Sequence, residues 1–257
     1  MQYIRYGKER LKDPLFLIVL IVFELFSLAS IIYFAVIGQY RNVGLGAICF
    51  FSATPVFIGF EYLLKLRIVP IFEFLVLFVV TGSVLFGPAY DWYAFFPFWD
   101  DIMHVAGGGV FLCMGFSITR KVVLQTEKKS FFINLLGGFC FCLSVLFIWE
   151  LLEYFGSTFF PVDMQDDVII HDFKSFILSG TNNFVMFVND ITKTVIYYGE
   201  GQTLELDGYL ELGMYDTLND MFMGFLGAVL FGISLIVDHF LKKRLIDLIV
   251  PTNAIKE

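Results

Sequence analysis

Residues Trp99 to Thr119 read WDDIMHVAGGGVFLCMGFSIT. Two aspartates and a histidine stand at the head of the stretch, and from Val105 onward it is uncharged and rich in glycine. The hydrocarbon core of a bilayer is crossed by about 20 mostly apolar residues in helical form. Asp101 to Thr119 therefore reads as a membrane span with an ionisable lip. The physical question is why so apolar a chain places its first histidine, His104, at that lip.

Working outward, comparable runs recur. The pattern predicts six spans, over roughly Pro14 to Gly38, Val43 to Leu64, Ile68 to Ala89, Asp101 to Thr119, Phe131 to Phe155 and Asp216 to Phe240. Composition agrees: 58% of the 257 residues are hydrophobic, 33 are phenylalanine and only 16% are charged, against about a quarter charged in a soluble domain. The first run is longer than the roughly 7–15 residues of a signal-peptide core, and Glu24 interrupts it, so it reads as a span. The expected fold class is an all-α membrane protein: one domain over 1–257, a bundle of six transmembrane helices, with a long outer loop over 156–215 containing a small hairpin.

Lysine and arginine accumulate in cytoplasmic loops. Fourteen of the seventeen cluster on one side of the six-span arrangement, in the N-terminal tail, the loops holding Lys65 and Arg67 and Arg120 to Lys129, and the C-terminal tail; Arg41, Lys174 and Lys193 lie on the other. The expectation is a multi-pass protein of the cell membrane with both termini cytoplasmic. Tyr90 to Trp99, YDWYAFFPFW, is then an aromatic belt at the outer interface. The segment Gly156 to Tyr215 holds nine acids against two lysines, a charge of -7, so nearly all of the net charge of -8 belongs to one outer loop and points to no nucleic-acid partner. Its TVIYYGEGQTLELDGYLELG portion alternates around Gly-Glu-Gly and Asp-Gly turns, the pattern of a hairpin. Cys49, Cys113, Cys140 and Cys142 fall in apolar runs as small hydrophobes. Thr54-Pro55 marks a kink.

Three short motifs carry the ionisable groups. Asp100, Asp101 and His104 open the fourth span, Glu150 and Glu153 close the fifth (WELLEYF), and Asp216 and Asp220 open the sixth (YDTLNDMFMGFLGA). Spacings of three and four residues put each pair on one helical face. With the fourth and sixth helices running inward and the fifth outward, all seven groups share one depth at the outer surface. Asp216, Asp220, Gly224 and Gly227 form one stripe, and Asp101, His104, Gly108 and Gly115 another; small residues let membrane helices approach. Asp100, Asp101 and Asp216 at helix N-termini also suit simple capping. Glu150 and Glu153 do not, since a helix C-terminus opposes negative charge.

Ionisable groups in spans are expensive and mark function. Protons could neutralise these acids, or a divalent metal cation of unknown identity held by Asp101, His104, Glu150, Glu153, Asp216 and Asp220. The imidazole among the carboxylates favours the cation. Glu24 and Glu73 lie deeper, as protonated acids or as part of an internal path; His171 and Asp172 read as solvated loop residues and His239, beside Asp238, as a surface residue. The ordered set D-x-x-H, W-E-x-x-E and D-T-x-x-D followed by G-x-x-G-A, covering Asp100 to Ala228, resembles the YjdF-type inner-membrane proteins and is distantly similar to VanZ-like membrane proteins. VanZ-like chains tend to carry a lysine after the first acid and a glutamine at the end of the second motif; here those places hold Ile102 and Glu153. The resemblance implies a multi-pass membrane protein.

Three functions follow from such a site. One is a metal-dependent membrane enzyme acting on a lipid or envelope precursor, with Glu150 or Glu153 as general base. The second is a proton- or cation-coupled transporter. The third is a structural membrane protein with a polar bridge between helices.

Overall fold

The structure, a computed structural model, describes residues 12–123, 130–181, 183–241 and 245–253; the side chains of residues 53–62, 245 and 252–253 fall outside that description. The loop charges at Arg5, Lys8, Arg10, Lys128, Lys129, Lys242 to Arg244 and Lys256 lie outside the described residues, and the expected kink at Thr54-Pro55 falls in a helical stretch described by its backbone alone. The chain divides into two compact units, residues 1–147 with 220–257, and residues 148–219.

The first unit is helical. α1 (Pro14–Val36) opens at Asp13, whose carboxylate accepts the N–H groups of Leu15 and Phe16 at 3.1 and 3.3 Å, with Pro14 at the first helical position; both features suit a helix start. α2 (Tyr40–Leu64) packs along it. β1 (Leu66–Arg67) leads to α3 (Pro70–Thr81), which continues through a π-helical turn (Gly82–Phe86) into α4 (Gly87–Ala89) and the short α5 (Trp92–Phe95). α6 (Trp99–Val122) and α7 (Ser130–Phe159) follow, and after the second unit come α8 (Met214–Leu241), α9 (Leu245–Ile249) and β8 (Thr252–Asn253).

Among the described residues five helices are long and apolar enough to cross a membrane: α1, the run Pro70–Ala89, α6, α7 and α8. Each coincides with an expected span. The remaining expectation, residues 43–64, falls on α2, which is continuous over 25 residues. In the apolar window of α6 61% of residues are buried, against 17% in α1. α6 is therefore enclosed by protein while α1 presents most of its surface outward, and large apolar residues such as Leu25, Ile32, Leu136 and Phe147 stand exposed. That arrangement suits hydrocarbon as solvent, where helices associate through close packing rather than hydrophobic exclusion.

The enclosed face of α6 supplies Leu112, Cys113 and Phe116 to a core completed by Phe72, Cys142, Leu146 and Leu235. At the opposite end from His104, Ser117 Oγ lies 2.8 Å from the Cys113 and Pro251 carbonyls, β1 pairs antiparallel with β8, and Asp238 accepts the Ile246 N–H at 3.1 Å. His239 stacks on Phe131 with ring centroids 4.0 Å apart. The aromatic belt folds on itself: Trp92 and Trp99 meet edge to face at 4.5 Å, and the buried Trp99 indole donates to the Gly82 carbonyl at 3.1 Å. This anchoring of Trp99 starts α6 two residues before the expected Asp101.

The second unit, residues 148–219, holds the C-terminal end of α7, the N-terminal end of α8 and six short strands: β2 (Val168–Ile170), β3 (Phe173–Ser175), β4 (Met186–Val188), β5 (Thr194–Tyr198), β6 (Gln202–Leu206) and β7 (Tyr209–Glu211). The expected hairpin is β5–β6, in register Thr194↔Leu206 to Tyr198↔Gln202. Its turn needs both glycines, Gly199 at φ 55° and Gly201 at φ 80°, values that side chains disfavour. β3 pairs with β4 and β2 with β7, two pairings that were not expected.

Asp167 shows the effect of crowded acids in this unit. Desolvation, then the charges of Asp163 and Glu211, hold its carboxyl above the ordinary aspartate value. A raised value means the folded state keeps the proton to higher pH, so stability falls as pH climbs from the ordinary aspartate range through the raised one. Asp167→Asn is expected to slow proteolytic nicking of residues 160–170 at neutral pH and to leave it unchanged below the carboxyl range. Equal nicking rates at neutral pH would remove the cluster as a destabilising element.

Candidate functional site

The site is built where two glycine-bearing helices cross in the first unit. A Cβ on Gly108 would fall inside the carbonyl of Gly224, and one on Gly227 inside the carbonyl of Val105. Over their length the contacts advance along both helices, from His104 beside Asp220 to Leu112 beside Gly232, so α6 and α8 run parallel. α7 runs opposite to them: Gly137 abuts Thr119, Cys142 Sγ reaches the Gly108 carbonyl at 3.5 Å, and Leu146 fills the space beside Gly224. Only glycine lets backbones come this near.

One turn toward the N-termini from this crossing, His104 Nε2 lies 3.3 Å from Asp220 Oδ2 and 3.7 Å from Asp100 Oδ1. The His104 and Asp220 side chains are 11% and 3% exposed, and Asp100 33%. One ligand atom from each of the three lies within 4.8 Å of the others. Metal–ligand distances of about 2.0–2.6 Å let such atoms converge on one ion, and two carboxylates with one imidazole are a donor set that divalent metals accept.

Within the first unit the structure brings together two of the expected ligands, His104 and Asp220, and adds Asp100. Asp100 and Asp101 sit in the first turn of α6, whose N-cap is Phe98 with no side-chain capping bond, so neither aspartate serves as the N-cap. Asp101 is half-buried. Glu150 and Glu153 lie on the α7 segment in the second unit, both buried and on one face. Asp216, in that unit too, accepts the Asp166 N–H at 3.0 Å, beside Gln165 donating to Thr217 Oγ1 at 2.8 Å. The start of α8 is capped instead by Glu211, which accepts the N–H groups of Met214 and Tyr215, each at 3.0 Å.

Away from this site, Glu73 is fully buried in α3 and Glu24 half-buried in α1. His171 is exposed, and its Nδ1 lies 2.8 Å from the Ile191 carbonyl, closing the base of the β3–β4 hairpin. That is a structural use of the ring. Sequence reasoning left Asp100 outside the ligand set. The available signal was its spacing of four from His104, which is as good a same-face spacing as the three from Asp101.

No curated protein and no solved structure matches the chain. The model of a family of predicted membrane proteins matches residues 16–240, a range that takes in all three acidic motifs and both glycine crossings. The chain therefore belongs to that family, DUF2238, the YjdF-like domain family.

Proposed function

We propose that the chain binds a divalent cation at the outer ends of its spanning helices and uses it on a lipid headgroup or envelope precursor. The observation that carries the reading is His104 held between Asp100 and Asp220 on two parallel helices. Helix starts favour anions, which suits Asp100 in the first turn of α6. In this reading Asp100, His104 and Asp220 form the inner ligand set, with Asp101 and Asp216 next to it in sequence. The sequence motifs assign Glu150 and Glu153 to the same role, as further ligands or, where unligated, as the general base. The cation would polarise a phosphoryl oxygen or acidify a bound water.

The site faces outward if the loop charges set the orientation, with both termini cytoplasmic in the cell membrane. In intact cells a membrane-impermeant thiol reagent is expected to reach Tyr197→Cys and not Lys65→Cys; labelling of Lys65→Cys alone reverses the orientation. The metal reading is tested by equilibrium dialysis of purified protein against magnesium, calcium, manganese and zinc. About one ion per chain is expected for wild type and a loss of at least tenfold in affinity for His104→Ala, as for removal of a ligand or its partner.

The transporter reading is favoured by one observation, the fully buried Glu73 in the half of the protein away from His104. In that case protons do the neutralising, and no divalent ion binds in the dialysis.

A further inference from the structure

The most acidic part of the chain contains a hairpin from which acids are missing. Residues 173–189, FKSFILSGTNNFVMFVN, carry one lysine and no acid, between Asp172 and Asp190. Their strands β3 and β4 pair from Phe173↔Val188 to Ser175↔Met186. The tip is apolar and unburied: Ile177 is 90% exposed, and Phe176, Leu178, Phe184 and Phe187 are each more than half exposed. Apolar side chains so placed in water mark an interaction surface.

A second observation concerns the backbone. The Leu178 N–H donates to Ser175 Oγ at 3.2 Å, those of Ser179 and Gly180 to the carbonyls of Phe176 and Ile177 at 3.2 Å, and that of Thr181 to Ser179 Oγ at 3.3 Å. The Ser179 hydroxyl lies 2.7 Å from the carbonyls of Phe176 and Thr181. Four backbone N–H groups of the tip thus find partners within it, which lowers the cost of moving it from water toward hydrocarbon. Behind it, Lys174 stands over the Phe187 ring at 5.1 Å, a cation on an apolar stem suited to headgroup phosphates. The β5–β6 hairpin of the same unit, with Glu200 and Glu205, has no such clearing of charge.

We propose that the β3–β4 hairpin is an interfacial anchor whose Phe176–Leu178 tip enters the outer leaflet of the bilayer, with Lys174 at the headgroup level. The lipid surface is favoured over a protein partner by the exclusion of acids, which anionic and zwitterionic headgroups would repel or leave desolvated, by Lys174 behind the tip, and by the N–H groups of residues 178–181 already paired within it. The segment is joined to membrane-spanning helices at both ends, so the anchor acts within reach of the bilayer by connectivity alone. It holds the outer unit against the membrane surface and away from bulk water.

The test uses the full chain in vesicles of phosphatidylcholine and phosphatidylglycerol. Cys140 is the exposed one of the four native thiols, so Ile177→Cys is made in a Cys140→Ser background and labelled with an environment-sensitive fluorophore. Tyr197→Cys on the other hairpin is the control. The label at position 177 is expected to be quenched by lipids carrying a shallow nitroxide, and to be several-fold less sensitive to aqueous iodide than the label at 197. Equal iodide quenching at both positions, with no effect of the nitroxide lipid, overturns the proposal. Shielding from iodide without lipid quenching, lost when the protein is diluted in lipid, assigns the tip to a second copy of the chain and overturns it as well.

Discussion

Gly108→Val is expected to abolish the stable fold of the membrane unit. The Gly108 Cα faces the carbonyl of Gly224 with no room for a Cβ. The obstacle is backbone on a neighbouring helix, which no rotamer change can move. α6 and α8 would have to separate, which also unseats the reciprocal contact of Gly227 with the Val105 carbonyl and the packing of Leu146 on Gly224. Overpacking alone costs about 1–3 kcal/mol, and loss of close packing on both sides adds to it, so the expected destabilisation is about 3 kcal/mol or more. Gly44 on α2 is the control: a Cβ there meets nothing within 4 Å, and Gly44→Ala is expected within about 0.5 kcal/mol of wild type. Cys113 and Cys142 are fully buried, so a thiol-reactive dye reports unfolding on heating. A Gly108→Val protein that melts like wild type would mean that α6 and α8 do not cross at these glycines.

The second large effect is on the same crossing from the side of its ligand. A divalent ion that binds the folded chain stabilises it by about 2.7 kcal/mol when present at 100 times its dissociation constant. The melting temperature of wild type is expected to rise with one of magnesium, calcium, manganese or zinc. The rise should vanish in His104→Ala and Asp220→Asn, whose side chains are enclosed, and shrink in Asp100→Asn, whose carboxylate is a third exposed. The readout is the metal-induced shift, not the melting temperature itself, because any change at an enclosed position also alters packing. Lowering the pH should reduce the shift, since protons compete for carboxylate and imidazole ligands. A shift of equal size in wild type and His104→Ala would place the ion elsewhere on the chain. No shift with any of the four ions would leave the His104–Asp220 contact as a bridge between helices or a proton site.

Much of this architecture was legible before any coordinates. Asp13-Pro14 announces the start of α1, and five long apolar helices lie where apolar runs of span length stand. The Gly199-Glu200-Gly201 turn and its alternating flanks gave the β5–β6 hairpin, because a tight turn demands positive φ and alternation demands two faces. The stripes Gly108 and Gly224–Gly227 were legible as approach faces for the same local reason, the absence of a Cβ. The pairings β3–β4, β2–β7 and β1–β8 were not legible. Their strands are two or three residues long, too short for a period to register, and the partners in β2–β7 and β1–β8 lie far apart in sequence.

The sequence by itself determined the solvent of this protein, the helical spans and the three helix segments that carry ionisable groups. A bilayer imposes those locally, residue by residue, through the need to satisfy every backbone N–H and C=O within the segment. Only the tertiary structure decided which acid meets His104. Asp100 and Asp101 stand four and three residues before it, and both spacings lie on its face. Asp220, by contrast, reaches His104 from another helix, and its arrival there depends on how α6 and α8 meet, with Gly108 against Gly224 and Gly227 against Val105. In the same way Glu211, not Asp216, caps α8, because the β7 strand delivers its carboxylate to the free N–H groups of Met214 and Tyr215. Spacing along one helix cannot state where a neighbouring helix or strand will stand; the meeting of two backbones does.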